Sequence, residues 1–194
     1  MVPSTAPTPA SDSPELERAI ELLGQADELA KELEDGEQEL AKAEICKAYA
    51  SIKLCEEALR LALDIKPGNA RWQALTISGK SFVQCDKLEK GLEEVEKLEM
   101  EDDQSCLLDG IARALAEKGE VAEALRVAGT IVSDQRRVVS LAAVAEALAL
   151  AGYITEAVET VKQFEDSDKE GRVLSSAIVS LSKADKVDDA LALL

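Results

Sequence analysis

The chain has 194 residues, with 39 acidic and 22 basic side chains, a formal net charge of −17 and no histidine. Without an imidazole the chain lacks serine–histidine and cysteine–histidine catalysis and the commonest protein ligand of transition metals. At 46% hydrophobic residues it can bury one sizeable core or a linear series of small ones.

The first segment, residues 1–13, is rich in serine, threonine and proline, and a composition of this kind buries too little apolar surface to become ordered. We predict a flexible tail there. This start has neither the basic nor the apolar region of a signal peptide, and no run of 18 apolar residues occurs. The four cysteines form no Cys-x-x-Cys motif, so we expect reduced thiols and a cytoplasmic protein.

From residue 14 onward, apolar residues recur at three- and four-residue spacing, which predicts helices. We interpret residues 14–36 as a degenerate, acidic N-terminal capping helix pair, in which Gly24 separates residues 14–23 from 25–34. Residues 37–194 follow as a repeat array of about four full units and one truncated unit.

The array has a 33-residue period, and both large and small side chains keep this register. The clearest columns are Leu75, Leu108, Leu141 and Leu174; Ala58, Gly91, Ala124, Ala157 and Ala190; and Cys46, Gly79, Ala112 and Ala145. Columns of small residues indicate that two helices approach closely, since neither helix carries a long side chain at the contact. Each unit is therefore predicted to be an antiparallel helix pair.

The register predicts the bounds of both helices in every unit. First helices are expected near 37–50, 70–84, 104–117, 137–150 and 169–183, and second helices near 54–65, 87–98, 121–132, 154–165 and 187–194. Gly119 and Gly152 fall between the two helices of their units, where glycine can adopt the left-handed conformation that ends a helix. Segments 133–136 and 165–168 are expected to connect successive pairs.

The segment VAEALALAGYITEAVETV, residues 144–161, resembles the tetratricopeptide repeat in its order of large apolar, small, glycine and alanine positions. The resemblance covers residues from about 37 to the end, although related helical-hairpin repeats have a similar pattern. It implies an all-α, right-handed superhelical solenoid. It also implies a non-catalytic scaffold that binds a peptide or helix of a partner protein in a concave groove lined by the first helices.

If the family register applies, three columns face this groove. They contain Gln73, Cys106, Val139 and Arg172; Thr76, Asp109, Ala142 and Ser175; and Lys47, Lys80, Arg113 and Glu146. The three successive cations of the last column predict a basic ladder for an acidic or C-terminal carboxylate ligand. The alternative is that these cations pair with nearby acids or are merely solvated.

The acidic residues are concentrated in two stretches, with eleven acids against two bases in residues 12–39 and nine against three in residues 86–103. A negative field disfavours nucleic acid and anionic membranes, so we expect neither as a partner. A basic protein surface remains a candidate partner for these two stretches.

No motif indicates catalysis, a metal or a cofactor. Residues 79–81, Gly-Lys-Ser, lack the upstream glycine of a phosphate-binding loop, and residues 166–171 lack the ligand spacing of a calcium loop. Cys46 and Cys55 occupy packing columns and are interpreted as packed thiols. Two other functions stay open: a structural protein that self-assembles through its C-terminal end, and a regulatory or targeting module of a larger enzyme that continues beyond residue 194.

Overall fold

A computed structural model describes residues 13–161 of the chain. These residues form nine α-helices and no strand, so the described part of the chain is all-helical. The helices are α1 (Pro14–Ala30), α2 (Asp35–Ser51), α3 (Cys55–Leu63), α4 (Asn69–Gln84), α5 (Leu88–Lys97), α6 (Glu101–Glu117), α7 (Val121–Gly129), α8 (Asp134–Ala151) and α9 (Ile154–Val161).

Helix α1 is continuous, so the predicted break at Gly24 is wrong. Its start follows from the sequence, because the Ser13 side chain accepts a hydrogen bond from the Leu16 amide and a proline occupies the first turn. A glycine in a helix interior costs about 1 kcal/mol relative to alanine. We attribute the continuity of the helix to its apolar side, where Leu23 and the buried Ala30 pack on the core.

The bounds of α2 to α8 agree with the predicted first and second helices to within three residues. Helix α9 begins at the predicted position, whereas the expected helices at 169–183 and 187–194 lie outside the described residues. The predicted connector at 133–136 is instead the start of α8. The Ser133 side chain caps this helix by accepting a hydrogen bond from the Arg136 amide.

Left-handed residues mark four helix-to-helix turns. Lys53, Asp86, Gly119 and Gly152 have φ values of 64°, 56°, 79° and 94°, and their positions follow the 33-residue register of the sequence. In each turn the next amide donates to the carbonyl five residues earlier, at 2.8 to 3.0 Å. This bond ends the preceding helix in the manner of a Schellman motif. The left-handed conformation predicted for the two glycines is confirmed.

Each helix packs mainly against one or both of the two helices that follow it in the chain. Thus α2, α4, α6 and α8 contact one another in succession, and α3, α5, α7 and α9 each pack against the helix before them. Most of their buried apolar side chains form one cluster that includes the fully buried Phe82, Ile111 and Leu148, and a small second cluster surrounds Ala145 of α8. Burial of these apolar side chains supplies the main favourable free energy of folding.

The most extensive helix contact joins α4 and α6, and it depends on two glycines. A Cβ atom added to Gly79 would lie 2.2 Å from the Leu107 carbonyl oxygen, and one added to Gly110 would lie 2.0 Å from the Thr76 carbonyl oxygen. No side chain fits at these distances, so the two backbones touch directly. The Thr76 hydroxyl also donates to the Cys106 carbonyl across the contact, at 3.3 Å.

Side chains at the starts of α4, α6 and α8 anchor the preceding segment. Arg71, Gln104 and Arg137 each donate to the backbone carbonyl six residues earlier, at 3.0, 2.6 and 3.1 Å. Arg71 also forms an ion pair with the buried Asp103 of α6, and its Nε atom lies 3.1 Å from both carboxylate oxygens. A buried charge pair of this kind specifies the α4–α6 arrangement, because either charge alone is costly to bury.

The glycine contact generates a first prediction. Gly110→Ala places a methyl group against the Thr76 carbonyl, and we expect it to lower the free energy of unfolding by about 1–3 kcal/mol. Gly24→Ala is the matched control, since a Cβ there meets nothing within 4 Å, and it should raise stability by about 0.5–1 kcal/mol. Urea unfolding followed by circular dichroism measures both values. Equal or greater stability of Gly110→Ala would contradict the contact.

A second prediction concerns the left-handed residue of the turns. This residue is a lysine in one turn and a glycine in another, so substitutions at the two equivalent positions should change stability in opposite directions. Lys53→Gly should raise stability by about 0.5–1 kcal/mol, because glycine adopts a positive φ without steric cost. Gly152→Ala should lower it by about 1 kcal/mol through conformation alone, since its added Cβ meets nothing within 4 Å. The measurement is again the free energy of unfolding. Changes of the same sign in both variants would contradict the left-handed turns.

Candidate functional site

The residues that the sequence assigns to the groove lie on the four helices that contact one another in succession. Lys47 is on α2, and Glu146 is on α8. On the two helices between them lie Gln73, Thr76 and Lys80 of α4 and Cys106, Asp109 and Arg113 of α6, while Val139 and Ala142 join Glu146 on α8. Arg172 lies outside the described residues.

Each cation of the predicted basic ladder has a carboxylate beside it. Lys80 Nζ donates to Glu117 Oε1 of α6 at 2.6 Å, and Arg113 Nε lies 2.9 Å from an Asp109 carboxylate oxygen. Lys47 Nζ lies 3.7 Å from a carboxylate oxygen of Glu44. These pairs are partly exposed and individually weak. Together they balance the positive charge of the column, with carboxylates on the same helix for Lys47 and Arg113 and on the neighbouring helix for Lys80.

The two polar residues predicted on α4 differ in their surroundings. Gln73 is exposed, whereas Thr76 is half-buried and uses its hydroxyl within the fold. That hydroxyl donates to the Trp72 carbonyl at 3.1 Å in addition to the Cys106 carbonyl. Thr76 therefore serves the α4–α6 contact, while Gln73 presents its amide to solvent.

Two cavities lie between α6 and α8. The first has a volume of about 360 Å³, with charged residues contributed mainly by α6 and small apolar residues by α8. It is lined by Arg113, Glu117, Ala143, Glu146, Ala147, Leu150 and Ala151. The sequence assigned two of these, Arg113 and Glu146, to the groove. Glu117 adds a second carboxylate, and the four apolar residues of α8 form a floor that can accept a side chain of a ligand.

The second cavity has a volume of about 370 Å³ and is lined by both acidic and basic side chains. It is lined by Asp102, Ser105, Cys106, Asp109, Ser133, Gln135, Arg136 and Val139. Val139 is 58% exposed, so its side chain is accessible to a ligand. Cys106, Asp109 and Val139 belong to the predicted groove columns, so the structure brings members of two columns together here.

Arg136 joins three helices beside this second cavity, and the sequence analysis did not identify it. Its guanidinium lies 4.8 Å from the centre of the Trp72 ring on α4, and its Nε atom donates to Asp102 Oδ1 on α6 at 2.6 Å. Burial opposes its charge, but the hydrogen bond to Asp102 and nearby Cys106 and Asp103 raise the pKa of Arg136. The sequence signal for this contact was weak. Asp102 and Arg136 are 34 residues apart, one more than the 33-residue period, so they do not share a column.

The thiol in this cavity is not poised for nucleophilic chemistry. Burial raises the pKa of Cys106 to about 11, which outweighs the opposite effect of Arg136. At neutral pH the sulfur is therefore almost entirely protonated, and the thiolate is the reactive form. Within residues 13–161, moreover, no cluster of three cysteine, aspartate or glutamate side chains is arranged to hold a metal ion.

Comparisons with protein-family models, with curated proteins and with solved structures find no match to this chain. None of the helices between residues 13 and 161 is both long and apolar enough to cross a bilayer. The geometry of the described helices is thus the basis for assigning a function.

Proposed function

We propose that this chain is a non-catalytic protein-interaction scaffold that binds a peptide or helix of a partner protein in a groove along α2, α4, α6 and α8. The observation that carries the proposal is the pair of cavities between α6 and α8, in which apolar side chains lie beside charged ones. Sites with this mixture accommodate apolar side chains and orient them by a few polar contacts. We also propose a cytoplasmic location, in keeping with four free thiols.

The proposal includes the architecture that extends such a groove. We infer a right-handed solenoid of antiparallel helix pairs with a 33-residue repeat, similar to tetratricopeptide repeats. Three observations support it: left-handed turns that recur at this 33-residue spacing, carbonyl anchors at positions 71, 104 and 137, and helix contacts restricted mainly to near neighbours in the chain. Nearest-neighbour packing is typical of repeat proteins, which present one extended surface for binding.

The charges of the site favour a ligand with apolar anchors and charges of both signs. A purely acidic peptide would have to compete with Glu117 for Lys80 and with Asp109 for Arg113. An apolar side chain faces no such competition in the first cavity, where Ala143, Ala147 and Leu150 supply the contact surface. We therefore propose that apolar contacts supply most of the binding free energy and that the charged residues orient the ligand.

The test uses peptides selected from a random displayed library against the chain. Trp72 is the single tryptophan and lies beside Arg136, so its fluorescence reports ligands that reach the second cavity. Ala143→Phe fills the first cavity and should weaken the selected peptides about tenfold or more. Ala122→Phe on the exposed surface of α7 is the matched control and should leave their affinity unchanged.

Both variants must first retain the helicity and thermal stability of the parent chain. Equal affinity in all three proteins, or equal loss in both variants, would contradict binding between α6 and α8. Peptides rich in acids that lose affinity in Lys80→Glu but not in Ala143→Phe would instead support an acidic ligand held by the predicted basic ladder.

A further inference from the structure

Two cysteines that lie far apart in the sequence meet where α3 packs against α4. Cys55 is the first residue of α3, and Cys85 directly follows the last residue of α4. The two thiols are close enough for Cys85 to influence the pKa of Cys55. The Cys85 thiol also donates to the carbonyl of Lys53, two residues before Cys55, at 3.4 Å. Both sulfur atoms are thus held at one junction between the α2–α3 turn and the end of α4.

The two thiols differ in accessibility. Cys55 is 1% exposed, whereas Cys85 is half-buried. Burial and the neighbouring Cys85 together raise the pKa of Cys55 to about 11. A soluble oxidant therefore meets Cys85 first, and Cys55 remains a protonated thiol beside it. This arrangement resembles an attacking thiol with a resolving thiol at hand.

The ammonium group of Lys87 lies near both cysteines. Lys87 Nζ donates to Glu56 Oε1 at 3.0 Å, which places the ammonium group beside the start of α3. The hydrogen bond to Glu56 and the proximity of both sulfurs raise the pKa of Lys87, so this lysine stays charged. The charge of Lys87 acts to lower the pKa of Cys55, against the larger effect of burial.

We propose that Cys55 and Cys85 form a reversible intramolecular disulfide when the chain meets a peroxide. The Cys85 thiolate attacks one peroxide oxygen, so an S–O bond forms, the O–O bond breaks, and the leaving hydroxide takes a proton to become water. The Cys55 sulfur then attacks the sulfenic sulfur of Cys85. An S–S bond forms, the S–O bond breaks, and the departing hydroxide leaves as water with the proton of Cys55. Two thiols lose two electrons, and the peroxide is reduced to two molecules of water.

The disulfide would have a mechanical consequence for the array. It ties the turn between α2 and α3 to the end of α4, and thereby links two successive helix pairs covalently. A cross-link between residues this far apart in sequence restricts the unfolded chain and stabilises the folded one. Oxidation would therefore make the N-terminal part of the helical array more rigid and more stable.

The chain supplies its own control cysteines. Cys46 is fully buried, and its thiol donates to the Ala58 carbonyl at 3.2 Å and interacts with Ser78. Cys106 lies beside Arg136, with aspartates as its other charged neighbours. Among the described residues, no second thiol contributes to the environment of either one.

The experiment treats the reduced full-length chain with hydrogen peroxide and follows intact mass, peptide maps and thermal unfolding. We expect the loss of two hydrogen masses, a Cys55–Cys85 cross-linked peptide, reversal by dithiothreitol, and a rise in Tm of roughly 5–10 °C. Cys46→Ser and Cys106→Ala should behave like the parent chain. Cys85→Ser should abolish the mass loss, and Cys55→Ser should leave a sulfenic acid on Cys85 that dimedone traps.

Several outcomes would overturn the proposal. One is a parent chain that keeps all four thiols alkylatable after peroxide treatment. Another is oxidation that yields only covalent dimers in proportion to chain concentration, since this would be an intermolecular reaction. A cross-link that survives in Cys55→Ser or Cys85→Ser would assign the chemistry to other cysteines.

Discussion

The backbone contact between α4 and α6 at Gly79 and Gly110 determines how closely the middle helices of the chain approach. Because each glycine faces a carbonyl oxygen of the opposite helix at a distance that no side chain permits, the two helices have one favourable register. The ion pair between Arg71 and the buried Asp103 spans the same two helices and favours the same arrangement. A shift of one helix along the other would place a methyl or larger group against a backbone and leave a buried carboxylate without its partner.

The left-handed turns and the side-chain hydrogen bonds to backbone carbonyls position each helix relative to the segment before it. Each left-handed residue reverses the chain between two helices, and the side chains of Arg71, Gln104 and Arg137 fasten the start of the next first helix to the segment before it. The first helices therefore lie side by side, and the cavities form between α6 and α8 because small residues such as Ala143 and Ala147 leave room there. The proposed groove is thus a consequence of helix packing, with paired charges on its rims.

Sequence periodicity predicted the helices well, because apolar and small residues at a 33-residue spacing directly reflect burial. It predicted the left-handed turns at Gly119 and Gly152. It also predicted a close helix approach at Gly79, but within one helix pair, whereas the contact joins α4 to α6 of the next pair. It did not identify Lys53 and Asp86 in the same turn conformation because neither is a glycine, although both lie at the 33-residue spacing from Gly119 and Gly152. Gly110 and Arg136 were missed because their roles depend on the neighbouring helix. The sequence did not identify Glu117 and Asp109 as the partners of Lys80 and Arg113, because a column of residues does not specify side-chain positions.

Nuclear Overhauser effects at the α4–α6 contact test the account most directly. A Cβ added to Gly79 would lie 3.1 Å from the Ile111 nitrogen, and one added to Gly110 would lie 3.0 Å from the Lys80 nitrogen, so the glycine α protons are close to these amides. We expect cross-peaks from the Gly79 α protons to the Ile111 amide and from the Gly110 α protons to the Lys80 amide. Complete assignments for these four residues without either cross-peak would contradict the packing of α4 on α6, and with it the proposed groove.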